Sequence, residues 1–167
     1  TRFKFGNLKQ KGLYIDETTM RMCYTHRRLL GQTALQLIAE GKKQKAINIL
    51  KKADVEIPTY NVPLDYLNGG IDMARGWLMT GQKAKGKEYV EAIWKNASQY
   101  LNYYLSLPND LFLQAEHDCI RQIMIMQSIC EAAGMVSPQL EKKYEKQLNN
   151  LYRLYHGRGG RMPEGNQ

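Results

Sequence analysis

The run from Asp16 to Arg28, DETTMRMCYTHRR, is the densest mixture of reactive side chains in this chain: two carboxylates, a thiol, an imidazole and three arginines. Cys23 and His26 stand three apart and would share a face on a helix. A thiol beside an imidazole is the start of a nucleophile–base pair. Such a pair also needs an orienting third group and an oxyanion hole, and nothing in the sequence supplies either. As metal ligands these two fall short of the set a structural zinc site takes. His117 and Cys119, two apart, point away from each other on a helix. The adjacent carboxylates of Asp16 and Glu17 project in different directions and read as helix capping. GRGGR at 157–161 lacks the strand and helix that frame a phosphate-cradling loop. No catalytic residue, metal set or cofactor site is assigned, and Cys23 reads as a core thiol.

Arg27 stands apart from that reading. It lies between Cys23, Tyr24 and Leu30 on the apolar line of the helix, where a guanidinium needs a carboxylate or carbonyls. Asp72 and Glu116 are candidate structural partners. The other reading is a groove arginine that waits for an anionic partner, with Tyr24 lining the same part of the groove. Arg21, Tyr24, Arg27, Asp72 and Glu116 are therefore the candidate interaction residues.

The elements that must position these residues are helical nearly throughout. Residues 1–15 are the exception, expected as a short extended arm with a turn at Gly6-Asn7. A first helix is expected from about Glu17 to Glu40, capped by Asp16, with Glu17 and Arg21 paired four apart. Gly41 ends it, and a second helix runs to about Glu56, before Pro58. A third carries Leu67, Ile71, Ala74, Trp77 and Leu78 up to Gly81, with Gly69, Gly70 and Gly76 inside it. A fourth spans about Gln82 to Leu105, and a fifth, apolar on much of its circumference, about Leu111 to Ala133. The chain turns at Gly134, and Ser137 with Pro138 opens a sixth helix through Tyr155. Residues 157–167 hold too few apolar groups to fold and read as a flexible tail.

At 167 residues the chain is long enough to bury a core. No stretch is apolar for long enough to span a membrane. It begins at Thr-Arg-Phe-Lys, with neither an initiator Met nor a signal pattern, and is expected to be a piece of a longer protein. The net charge of +8 permits attraction to phosphates, nucleic acid or anionic lipid. The lysines are nonetheless scattered over several helices as a solvated face, which argues against nucleic acid. Three cysteines, Cys23, Cys119 and Cys130, form no paired framework and read as buried thiols.

Six helices joined by short turns suggest three antiparallel pairs. From Gly41, small or apolar residues fall at Ala46, Leu50 and Ala53, and Pro58 closes the unit, with Ala34 at the small position of the preceding helix. This pattern resembles the second half of a tetratricopeptide repeat. Forty residues later TGQKAKG echoes EGKKQKA, with Gly81, Gly86, Val90 and Ile93 in the matching places and no closing proline. The expected fold is thus all-α: antiparallel helix pairs in a tetratricopeptide-like, right-handed solenoid or bundle of about six helices. The helical domain spans 16–156, between the arm and the tail. Stacked helix pairs leave a groove, and such grooves usually hold a peptide or a protein segment.

RFKFGN, YIDETTMRMCYTHRR, TALQLI followed by EGKKQKA, and IPTYNVPLDY together resemble a family of large bacterial multi-spanning membrane proteins of unknown function, related to protein O-mannosyltransferases. The likeness is to the soluble C-terminal region, strongest over about residues 2–80 and looser at YLSL, 104–107. The resemblance implies a membrane glycosyltransferase using a lipid-linked sugar donor, with a tetratricopeptide-like tail on the periplasmic side of the cytoplasmic membrane. The catalytic acid of such enzymes is expected in an early loop of the membrane portion, so none is carried over to this chain. The implied partners are the membrane-embedded part of the same polypeptide and a peptide or acceptor protein. Asp16, Glu17, Arg21 and Arg27 fall in the resembling motif. The function expected is a non-catalytic accessory or protein-interaction domain. The alternative is a free-standing basic module for nucleic acid or anionic lipid.

Overall fold

The structure, a computed structural model, describes residues 5–64 and 69–161. The expected placements of Leu67, of residues 1–4 and of the end of the tail lie outside these. Among the described residues there are seven helices and no strand. They fall into two compact units, Thr1–Ile93 and Trp94–Gln167.

The first unit holds α1 (Glu17–Ala39), α2 (Lys43–Glu56), α3 (Gly70–Met79) and the opening turns of α4 (Lys83–Ser106). Asp16 caps α1 by accepting from the Thr19 backbone N–H at 3.0 Å and the Thr19 hydroxyl at 2.6 Å. α1 and α2 are joined at Gly41, whose φ is +74°, with Lys42 N donating to Leu37 O at 2.8 Å and Gly41 N to Ile38 O at 2.9 Å. The turn from α3 to α4 repeats this at Gly81: Gln82 N donates to Trp77 O and Gly81 N to Leu78 O, each at 2.9 Å. The echo between EGKKQKA and TGQKAKG is thus one left-handed helix-ending turn used twice.

Small residues let the helices nest. Ala34, Ala46 and Ala53 are buried, as the helix-pair expectation requires. A Cβ added at Gly31 on α1 would lie 2.9 Å from the Asp72 Cβ on α3, and one at Gly86 on α4 would lie 2.5 Å from Leu78. α1 packs on both α2 and α3. Burial of these apolar faces, at about 25 cal/mol per Å² of surface removed from water, is what holds helices of such modest amphipathicity together.

The second unit takes α4 onward from Trp94, with α5 (Asn109–Gln114), α6 (Glu116–Val136) and α7 (Pro138–Gly157). The single fifth helix expected over 111–133 is two helices, because Ala115 leaves the helical path (φ −90°, ψ 4°). The break lets Phe112 bury against Tyr155, ring centroids 6.1 Å apart, beneath the Arg158 guanidinium. Tertiary packing wins over local helix preference here. α6 is indeed buried around much of its girth, although Met124 is exposed. Its end is also displaced from the expectation. Gly134 stays inside α6 facing the Glu141 carboxylate, and the chain turns at Ser137, which caps α7 by accepting from Leu140 N at 3.2 Å.

Residues 157–161, read from sequence as tail, are seated on this unit. Arg158 donates to the Leu105 carbonyl and to Asn109, and Arg161 N donates to Glu116 at 3.2 Å.

Candidate functional site

In the first unit, the described part of the arm, the start of α1 and the loop after α2 come together at one place. The described part of the arm, residues 5–15, does not run extended throughout. It turns over 6–12 and lays Leu8 into a cluster with Cys23 of α1 and Ile57 and Val62 of the loop after α2. Phe5, Leu13, Ile15, Met20, Tyr24 and Leu30 pack around this cluster. Polar bonds stitch the same joint. Asn61 donates to Leu8 O at 2.7 Å and Gln10 O at 2.6 Å, and the Tyr60 hydroxyl donates to Lys9 O at 2.8 Å. Lys9 meets Glu56 at 3.1 Å.

Arg27 is at the centre, only 1% exposed. Its guanidinium donates to the carbonyls of Ile57 at 2.8 Å, Val62 at 2.7 Å and Pro63 at 2.9 Å. The reason lies in the loop. Pro58 and Pro63 interrupt helix formation, so these carbonyls have no helical N–H to accept from, and burial without a donor is costly. The planar fork of arginine spreads these bonds over two terminal nitrogens, whereas an ammonium would have to make them all from one.

The other candidates are dispersed. Arg21 faces outward and pairs with Glu17 at 2.6 Å. Tyr24 is half-buried on the cluster. Asp72 lies on α3, where burial raises its carboxyl above the ordinary range while Arg75 and Arg28 pull the other way. Glu116 belongs to the second unit and accepts from the Tyr155 hydroxyl at 3.3 Å. The expectation of Asp72 or Glu116 as the partner of Arg27 gives way, in the bonds seen here, to loop carbonyls. Arg27 therefore faces the fold's own loop and not an open groove wall.

The remaining reactive groups have structural surroundings. The Cys23 thiol is pushed up by burial, against the opposing charge of Arg27, and is a poorer nucleophile for it. Burial also raises Cys119 and Cys130 to about 11. His26 stands edge-on to Phe5, ring centroids 5.5 Å apart. Among the described residues no three His, Cys, Asp or Glu side chains gather so as to hold a metal ion.

Sequence reasoning missed the loop, Ile57 to Pro63. Its visible signal was the pair of prolines, Pro58 and Pro63, framing four residues, which marks backbone that cannot satisfy itself.

Fold and joint together define a class: an all-α helix-pair protein whose motif side chains fasten an N-terminal arm and an interhelix loop to one helix. No family model, no curated protein and no solved structure matches the chain. No helix among the described residues is long and apolar enough to cross a membrane.

Proposed function

We propose that the chain is a non-catalytic, tetratricopeptide-like interaction domain that serves as an accessory part of a membrane glycosyltransferase-like protein, on the periplasmic side. The observation that carries this reading is the bonding of Arg27. The one fully buried charge of the resembling motif is committed to the carbonyls of Ile57, Val62 and Pro63, and Asp16, Glu17, Arg21 and Cys23 have capping, pairing or packing roles. A motif made of joints belongs to a scaffold. The resemblance supplies the membrane context.

The test uses the intact gene product in its native membrane. A photo-crosslinking residue is placed at Met22 or Leu29, exposed positions seven apart on α1. Crosslinks to the membrane-embedded part of the same polypeptide are expected. A gene product without hydrophobic spans, or crosslinks absent from both positions, overturns the reading.

A second reading, a basic module for anionic lipid or nucleic acid, draws on one local feature. The Lys43 ammonium lies 3.7 Å from where a Cβ on Gly81 would be, which brings the lysine-bearing starts of α2 and α4 together. Neither first turn holds an acid. Binding to anionic vesicles that falls steeply with salt favours it, and absence of binding at low salt removes it.

A further inference from the structure

Within the second unit a groove of about 300 Å³ runs between α4 and α7, lined by Trp94, Ser98, Asn102, Gln147, Asn150 and Leu151. None of these is charged. The amides are held, and their orientations follow from the chemistry of their partners. Asn102 Nδ2 donates to the Ser98 carbonyl at 2.7 Å, which only accepts, so Asn102 presents Oδ1. Gln147 Oε1 accepts from the Trp94 indole at 3.1 Å, which only donates, so Gln147 presents its amino group. Asn150 Oδ1 accepts from Arg153 at 2.8 Å and likewise presents its amino group. The Ser98 hydroxyl donates to the Lys95 carbonyl at 3.0 Å, which leaves its oxygen as an acceptor.

The two walls therefore differ. α4 offers acceptors, α7 offers donors, and among the described residues the presented ends have no protein partner. Ser98 and Asn102 are four residues apart, a rise of about 6 Å along a helix. In an extended chain, N–H groups on one side recur every second residue, about 6.8 Å apart. We infer that this groove binds the backbone of an extended, uncharged peptide segment, with the N–H groups of every second residue toward Ser98 and Asn102 of α4 and the carbonyls of the intervening residues toward the amides of α7. A sugar is the weaker fit. Trp94 is 7% exposed and its ring is stacked on Tyr144 with centroids 3.9 Å apart, so little aromatic face remains for a pyranose. The inference deepens the interaction-domain reading by naming a ligand class.

The test is a titration of the isotopically labelled full chain, watched through the side-chain amide signals of Gln147 and Asn150 and the indole N–H of Trp94. The probe is acetyl-Ala-Gly-Ala-Gly-Ala-amide at millimolar concentration. These signals should shift together, and the same peptide methylated on its backbone nitrogens should bind much more weakly. Asn102→Ala should weaken binding about fivefold, the loss of one neutral hydrogen bond, with the rest of the spectrum unchanged. No shift with the peptide overturns the inference, as does a shift with maltose but not with peptide, or equal binding of the methylated peptide. These outcomes are independent of the crosslinking to a membrane portion, so either reading can fail alone.

Discussion

Replacing Arg27 by methionine, similar in length but without donors, would leave the carbonyls of Ile57, Val62 and Pro63 without their guanidinium partner inside the first unit. Hydrogen bonds to a charged group, and the penalty for stranding buried acceptors, put the expected loss at roughly 3 kcal/mol or more in urea unfolding. Lysine keeps the charge but would have to reach all of these acceptors from one nitrogen, so Arg27→Lys should recover only part of the loss. A loss within about 0.5 kcal/mol, the range of an ordinary surface substitution, would deny Arg27 its central role. A half-buried charge behaves differently. Asp54 accepts from the Tyr89 hydroxyl and lies 3.6 Å from Lys85, yet burial raises its carboxyl above the ordinary 3.8, against the pull of Tyr89 and Lys85. Between that ordinary value and the raised one, the native state holds a proton that the unfolded chain has lost. This contribution to stability therefore falls as pH rises through the window and is level above it. Asp54→Asn keeps an acceptor for Tyr89 and removes the titration. Urea midpoints should thus shift in favour of the variant as pH is raised from about 4 to 6, whereas midpoints moving in parallel would mean that Asp54 ionises without penalty.

Helices as close as α1 and α3 depend on what is absent from their facing sides. Gly69 caps α3 at φ +71°, and a Cβ there would sit 2.4 Å from the Arg28 Cα and 2.7 Å from its nitrogen. Backbone cannot step aside as a flexible side chain can. Gly12 has nearly the same φ, +75°, with nothing within 4 Å. Thermal or urea unfolding should separate the two contributions. Gly12→Ala should show only the left-handed strain, about 1–2 kcal/mol, and Gly69→Ala clearly more, because α1 and α3 must also move apart. Equal losses would mean that the close approach costs nothing. This contrast also marks how far the sequence is legible. Periodic apolar positions and the echo of EGKKQKA in TGQKAKG are enough to place four helices to within a few residues. Asp16 and Ser137 are legible as caps because a short acceptor ahead of a periodic run has few other uses. The break at Ala115 is not legible, since alanine is a strong helix former and only the burial of Phe112 under Arg158 requires the bend. Gly134 misleads in the opposite way, as a small residue tolerated inside a helix. Arg27 was recognisable as needing a partner, but its acceptors are backbone carbonyls, which every residue carries and no residue type advertises.

Each unit has its own buried core. In the first it includes Ala34, Leu50, Ile57 and Met73, and in the second Phe112, Ile123, Ile129 and Tyr155. α4 contributes to both, Val90 and Ile93 before the boundary and Trp94 and Leu101 after it. A stability defect confined to one core should accordingly show where it acts. In native-state hydrogen exchange, Arg27→Met should lower the protection of amides in α1, α2 and α3 by the same free energy that urea unfolding loses. Amides of α6 and α7 should keep the protection they have in the unchanged chain, because Glu116, Tyr155 and Arg158 hold that core through bonds the substitution does not touch. An equal fall over all the helices would mean that the chain opens only as a whole, and that the boundary at Ile93 and Trp94 divides contacts but not stability. Since α4 crosses that boundary, its amides decide between the two. Protection that steps up after Ile93 belongs to separable units, whereas a flat profile along α4 belongs to a single cooperative one.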